Sequence, residues 1–232
     1  MSRKRLFLLM LVAVAGIYGC METPMTEKLG SQSAPIADYF DRCAAEGVFD
    51  EFSPEELIVA KEILAQMNIK PGDKLAEAGC GAGRLTEMLA GLVGPEGKVF
   101  AFDISPRMVE RCRQRALPSQ VEIARASATD IPVPDREFDA IVCHNTFPHF
   151  DDKPAALREF HRVLRDDGVL WIVHSRSREW VNSLHSSIGG VLTGHLFPDR
   201  PEFETLLRQT GFSLEFLNDL PDRFLLKAIP IP

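Results

Sequence analysis

The sequence predicts a doubly wound α/β fold, a mostly parallel sheet that finishes in an antiparallel hairpin. Three observations carry the prediction. Short apolar runs alternate with stretches of helical period between residues 68 and 209, the pattern of successive strand–helix–strand units. The first run leads directly into a glycine-rich turn, Gly79-Cys80-Gly81-Ala82-Gly83. The last two runs, 213–217 and 224–228, lie close enough in sequence to pair as a hairpin at the sheet edge.

Each element has its own signal. Asn68-Ile69-Lys70-Pro71-Gly72-Asp73 reads as a turn, so residues 74–78 form the first strand. Leu85, Met88, Leu89 and Leu92 recur at helical spacing, predicting a crossover helix over 84–93 that Gly94-Pro95-Glu96-Gly97 ends. Residues 98–102 are the second strand. Ser105 and Pro106 read as the N-cap and first-turn proline of a helix running to Arg115. Residues 121–124 give a third strand. Phe138-Asp139-Ala140-Ile141-Val142-Cys143 gives a fourth, apolar enough to be buried on both faces. A helix over 155–164 follows, with Asp166-Asp167-Gly168 as its stop, then a fifth strand over 169–173. The last helix is expected over 202–209, closed by Thr210-Gly211.

Composition bounds the function. With 232 residues, 45% hydrophobic and 25% charged, one soluble α/β domain of about 200 residues is the simplest reading. The net charge of −7 argues against a nucleic-acid partner, since phosphate binding depends on Lys/Arg patches. Arg107, Arg111, Arg113 and Arg115 do cluster, but on a predicted surface helix, where a solvated face accounts for them. Five cysteines without a C-x-x-C pair fit a reducing compartment with no structural disulfide.

The glycine turn carries the functional signal. Three glycines at alternate positions remove every Cβ from one side of a strand-to-helix turn, letting the backbone lie against a ligand. The following helix aims its free N–H groups at the same place. Asp103 closes the second strand, and an acid there can accept from two vicinal ribose hydroxyls. A dinucleotide fingerprint would be G-x-G-x-x-G, whereas here Arg84 stands where the third glycine would fall. A phosphate loop is absent.

The pattern acid-x-G-x-G-x-G beginning at Glu77, with Asp103 and a later Asp130, resembles the class I S-adenosylmethionine-dependent methyltransferases, in particular their small-molecule branch. The resemblance runs from about residue 38 to 228. It implies a Rossmann-like, seven-stranded sheet with S-adenosyl-L-methionine as cofactor and methyl transfer to a small-molecule acceptor. By the same resemblance Glu77 orients the methionine moiety through its ammonium, and Gly79, Cys80, Gly81 and Gly83 form the floor under the cofactor. Asp103 binds the ribose, Ile104 packs on the adenine, and Asp130 accepts from the adenine amino group. His144 and Asn145, after the fourth strand, lie near the methionine part, and His149 is the candidate general base. Two other readings stay open: a non-catalytic nucleoside- or lipid-binding module on the same fold, and an NAD(P)-dependent oxidoreductase, which the glycine spacing disfavours.

Residues 174–200 exceed an ordinary connection and are expected to form a lid or acceptor-binding insertion. If 177–187 is helical, Arg178, Asn182 and His185 share one face and would recognise the acceptor. His174, His185 and His195 fit no established metal-ligand spacing, so no metal is expected.

The N-terminus points elsewhere. Ser2-Arg3-Lys4-Arg5 precedes an apolar run to Ile17, a secretory pattern. Ile17-Tyr18-Gly19-Cys20 resembles a bacterial lipobox. The run is short for a membrane span. The expected organisation is a signal-like or anchor-like leader at 1–20, a linker at 21–37 and a single domain over 38–232. That domain is expected in the cytoplasm, where the methyl donor is made. The alternative is membrane anchoring through Cys20.

Overall fold

The computed structural model describes residues 34–231; the leader and most of the linker fall outside them. Two helices come first, α1 (Ala34–Ala45) and α2 (Pro54–Gln66). The alternation then begins: β1 (Lys74–Ala78), α3 (Arg84–Val93), β2 (Lys98–Asp103), α4 (Pro106–Arg113), β3 (Val121–Arg125), β4 (Phe138–His144), α5 (Lys153–Val163) and β5 (Leu164–His174). The chain finishes with α6 (Arg178–Ile188), α7 (Arg200–Gln209), β6 (Phe212–Leu220) and β7 (Arg223–Pro230).

The seven strands form one sheet in the order β3-β2-β1-β4-β5-β7-β6. All pairings from β3 to β5 are parallel, and the β5–β7 and β6–β7 pairings are antiparallel. The expected Rossmann-like methyltransferase fold is therefore observed. Strand alternation sends side chains to two cores. Ala76, Phe100, Ile141 and Leu226 meet α5 and α7 on one face. Leu75, Val99, Val142 and Trp171 meet α2 and α3 on the other. A third, smaller core joins α1 to Met108 of α4 and to Ile188 and Leu192.

Caps explain the boundaries. Ser53 and Glu56 make a reciprocal capping box that starts α2, and Asp199 with Glu202 does the same for α7. Ser105 accepts from the Met108 N–H, starting α4 where the sequence predicted.

Three expectations are corrected. Asp166-Asp167-Gly168 does not stop a helix, because α5 ends at Val163 and these residues lie within β5. The sheet register jumps there, from Phe138↔Leu164 to Ala140↔Val169, so the acidic stretch bulges outward while both flanks stay paired. The arginine cluster is not a purely solvated face. Arg115 donates to the Ala82 and Asp50 carbonyls and pairs with Glu51 and Glu87, and Arg111 pairs with Asp50. These contacts pin the loop between α1 and α2 to the glycine turn. Thirdly, α1 begins ahead of residue 38 and packs as part of the domain.

Candidate functional site

β1 lies between β2 and β4, so the chain leaves β1 toward one side of the sheet and returns on the other. Open α/β sheets bind ligands at such a switch point, beyond the carboxyl ends of the strands. A cavity of about 550 Å³ opens there, lined by Glu77, Gly79, Gly81, Asp103 and Ile104. Phe40, His149, Phe150, Trp180, Leu184 and His185 line the same cavity.

The glycine turn is shaped by backbone requirements. Gly79, Gly81 and Gly83 have φ of +74°, +54° and +83°, a region that side chains with a Cβ rarely adopt. A Cβ on Gly79 would stand 2.1 Å from Thr146 Oγ1, and one on Gly83 would stand 2.7 Å from Cys112 Sγ. On Gly81 it would meet nothing within 4 Å. Gly79 and Gly83 are therefore demanded by packing within the protein. Gly81 instead lines the cavity with open space beside its backbone, room that fits a cofactor lying against the turn.

Asp103 organises the same turn. Its Oδ2 accepts from the Gly81 N–H at 2.9 Å and its Oδ1 accepts from the Ser105 N–H at 2.9 Å. Burial raises its pKa, opposed by these backbone donors. Glu77 is buried at 2% exposure, and its Oε2 accepts from the Thr86 hydroxyl at 2.6 Å. Burial pushes this carboxyl up to about 8. A carboxyl so poised is a ready partner for a ligand's ammonium, which would draw it into the ionised form.

At the end of β4, Asn145 adopts φ +57° and its Oδ1 accepts from the Ser175 N–H at 2.9 Å. His144 Nε2 lies 3.0 Å from Ser175 Oγ. Burial holds the His144 pKa down, to about 3, so this ring is neutral. His144, Asn145, Ile104 and Cys80 all line the cavity.

Asp130 is exposed and does not line it; Ser127, Ala128 and Thr129 do. The insertion helix is present as α6, and Gly189 caps its end. Of its expected recognition face, only His185 reaches the cavity. The Arg178 backbone N–H donates to Asp219 and its side chain pairs with the same carboxylate at 3.7 Å. Asn182 binds the Phe197 backbone twice, at 2.8 and 3.1 Å, and so holds the end of the insertion down.

The helix was expected correctly, but its cavity face is Trp180, Val181, Leu184 and His185, rotated from the expected one. Sequence reasoning also missed Phe40, Phe49 and Arg84. Arg84, the residue that breaks the dinucleotide spacing, sits over the Phe52 ring at 4.3 Å and lines the cavity. The apolar phase of α1 was the available signal for Phe40. Nothing local marks Phe49.

His149 lies in a 3-10 turn, Phe147–His149, with its Nδ1 sealed from solvent and unpaired. The Nδ1 atoms of His174 and His195 are in the same condition. Among the described residues, no group of three His, Cys, Asp or Glu side chains has the arrangement to hold a metal ion. Cys80, Cys112 and Cys143 are buried free thiols. No helix among the described residues is long and apolar enough to cross a membrane.

Comparison with known proteins agrees with this geometry. A family model described as a methyltransferase domain matches residues 76–172. The chain is 28% identical to the demethylmenaquinone methyltransferase of Symbiobacterium thermophilum, over 66% of this chain and 73% of that protein. It is 30% identical to the ubiquinone/menaquinone biosynthesis C-methyltransferase UbiE of Shewanella oneidensis, over 70% of this chain and 66% of that one. Among solved structures, a SAM-dependent methyltransferase from Aquifex aeolicus superposes with a TM-score of 0.65 at 21% identity, covering 84% of this chain and 98% of that one. The structure of DhpI with SAH gives 0.65 at 22% identity, covering 88% and 100%. At these identities the solved structures speak for the fold.

Proposed function

Because the chain belongs to the class I S-adenosylmethionine-dependent methyltransferases, we propose that it methylates a small, largely apolar acceptor of the quinol type. The observation that carries this reading is the cavity's lining, which joins the glycine turn, Glu77 and Asp103 to a set of aromatic and imidazole side chains. The curated relatives named for ubiquinone and menaquinone favour the same class of acceptor.

Bound S-adenosylmethionine supplies a methyl group already activated on a sulfonium. The protein's task is then alignment and, for an acceptor that must lose a proton, a base. Gly79 and Gly81 would seat the cofactor, Asp103 its ribose and Glu77 its ammonium, while Gly83, which does not line the cavity, packs against Cys112 and shapes the turn. Ser127 and Thr129 replace exposed Asp130 as the polar neighbours of the adenine. His149 faces the acceptor. Burial and the neighbouring histidines hold its pKa well below the ordinary histidine value, so it stands neutral, and any proton it takes needs a compensating negative charge nearby. Arg178 and Asn182 hold the insertion in place and leave acceptor contact to Trp180, Leu184 and His185. The domain is assigned to the cytoplasm, with residues 1–20 as a membrane tether that would bring it to a lipid-dissolved acceptor.

The test is calorimetric titration of the purified chain with S-adenosylhomocysteine, followed by release of that product from S-adenosylmethionine in the presence of 1,4-naphthohydroquinone. Absence of binding sinks the enzymatic reading. Binding without turnover on any quinol sinks the acceptor. Membrane fractionation of the full chain and of Cys20→Ser separates tethering through residues 1–20 as such from lipidation at Cys20.

A further inference from the structure

His149 and His185 line the cavity and His195 packs beside them, a concentration of imidazoles that ligand shape alone does not require. The His149 ring lies 4.8 Å from the His185 ring and 5.9 Å from the His195 ring, centroid to centroid. His195 Nε2 in turn lies 3.6 Å from Asp151 Oδ1. The Nδ1 atoms of His149 and His195 are buried without a partner. Leaving such atoms unpaired is costly, and folded proteins rarely tolerate several together without a functional reason.

One tautomer follows from the geometry. His185 Nδ1 faces the His195 carbonyl, and a carbonyl can only accept. The proton therefore sits on His185 Nδ1, which leaves its Nε2 bare.

We propose that His149, His185, His195 and Asp151 form a proton relay, in which His149 takes the acceptor's proton and Asp151, through His195, stabilises the resulting charge. The inference rests on the methyl-transfer reading above. In the step, the acceptor's X–H bond breaks heterolytically. The proton goes to a bare imidazole nitrogen of His149; the electron pair left on X would form the bond to the methyl carbon as the carbon–sulfur bond breaks, that bond's pair returning to sulfur and S-adenosylhomocysteine leaving. His149 is the catalytic residue. His195 and Asp151 act through it and are positioning residues.

The charges around the cluster define why Asp151 matters. Lys153, whose Nζ donates to the Pro148 and Phe150 carbonyls, opposes protonation of His149, His185 and His195. His174 opposes it from the end of β5, with Arg176 beside it. From α1 the contribution is the edge of the Phe40 ring, 5.0 Å from His149. Asp152 is committed to the Ala155 N–H at the start of α5. Asp151 is the carboxylate that raises the His195 pKa against these cations.

The full chain labelled with ¹⁵N-histidine and saturated with S-adenosylhomocysteine is titrated from pH 4.5 to 8 by two-bond ¹H–¹⁵N correlation. His149 and His195 are expected to take up a proton in one coupled step. Asp151→Asn should move that step down by about one pH unit, a tenfold loss of proton affinity, and Asp151→Glu should restore it. Midpoints that Asp151→Asn leaves in place, or rings that stay neutral until the chain unfolds, overturn the relay.

Turnover of 1,4-naphthohydroquinone supplies a second readout. Asp151→Asn should lower kcat about three- to tenfold, shift the acid limb of the profile downward, and hold KM within about twofold. A change confined to KM overturns the relay. No turnover by the wild-type chain overturns the quinol assignment instead, and the titration alone then decides the relay.

Discussion

Cofactor affinity should depend on pH through Glu77, and the size of the effect can be worked from the structure. The carboxyl is 2% exposed, hydrogen-bonded to Thr86, and pushed up to about 8 by burial. If the ligand's ammonium binds only the ionised form, the apparent Kd exceeds its plateau by the factor 1 + 10^(pKa − pH). That factor is about 100 at pH 6, about 11 at pH 7 and about 2 at pH 8. Binding of S-adenosylhomocysteine should therefore tighten about 50-fold from pH 6 to pH 8, with the range kept at 8 or below so that the ligand's own ammonium stays charged. Glu77→Gln keeps the shape and a partner for the Thr86 hydroxyl but cannot ionise. It should bind weakly at every pH, with a flat profile. Isothermal titration at three pH values measures both proteins. A wild-type Kd constant within twofold, or a slope retained in Glu77→Gln, would refute the reasoning. The sign for stability is opposite. A carboxyl whose folded pKa lies above its unfolded value of 4.5 contributes most when protonated. The ligand-free protein therefore loses that contribution as pH rises from about 4.5 to about 8.

Four substitutions test the remaining architecture. Gly79→Ala places a Cβ against Thr146 at a positive φ and should cost about 2–4 kcal/mol in denaturant unfolding as well as cofactor binding. Gly81→Ala meets no protein atom; it should cost about 1 kcal/mol of stability yet abolish S-adenosylhomocysteine binding by calorimetry. Asp103→Ala strands the Gly81 and Ser105 N–H groups and should cost about 1–3 kcal/mol of stability and about 100-fold in affinity. Asn182→Ala removes both bonds to Phe197. It should cost about 1–3 kcal/mol and speed proteolysis at residues 190–199, with cofactor affinity unchanged.

Much of the fold was legible because its signals are local. β1 and α3 fall on the predicted residues since an apolar run, three glycines and a period of 3.6 need no distant partner to be read. The β5 boundary was missed for the opposite reason. Asp166-Asp167-Gly168 has the chemistry of a helix stop, and only pairing with β4 draws it into the sheet as a bulge. In the site, Glu77, Gly79, Gly81 and Asp103 were readable as neighbours of one cavity because a strand-to-helix turn and the next strand end place them there by local sequence alone. Arg178 and Asn182 were assigned to the acceptor from helical phase, which places a side chain on a face without saying what covers that face. Asp219 covers the first and Phe197 the second.

The sequence alone determined the strand–helix alternation, the turn and the identity of the methyl donor, each signalled within a short local segment. Tertiary structure decided what closes over that site. It brought Phe40 from α1 together with His149 and His185 to one cavity, set His195 beside His149, and tied Arg115 from beyond α4 to the glycine turn. Those contacts join residues far apart in the chain, where the free energy of packing, and not local propensity, selects the neighbour.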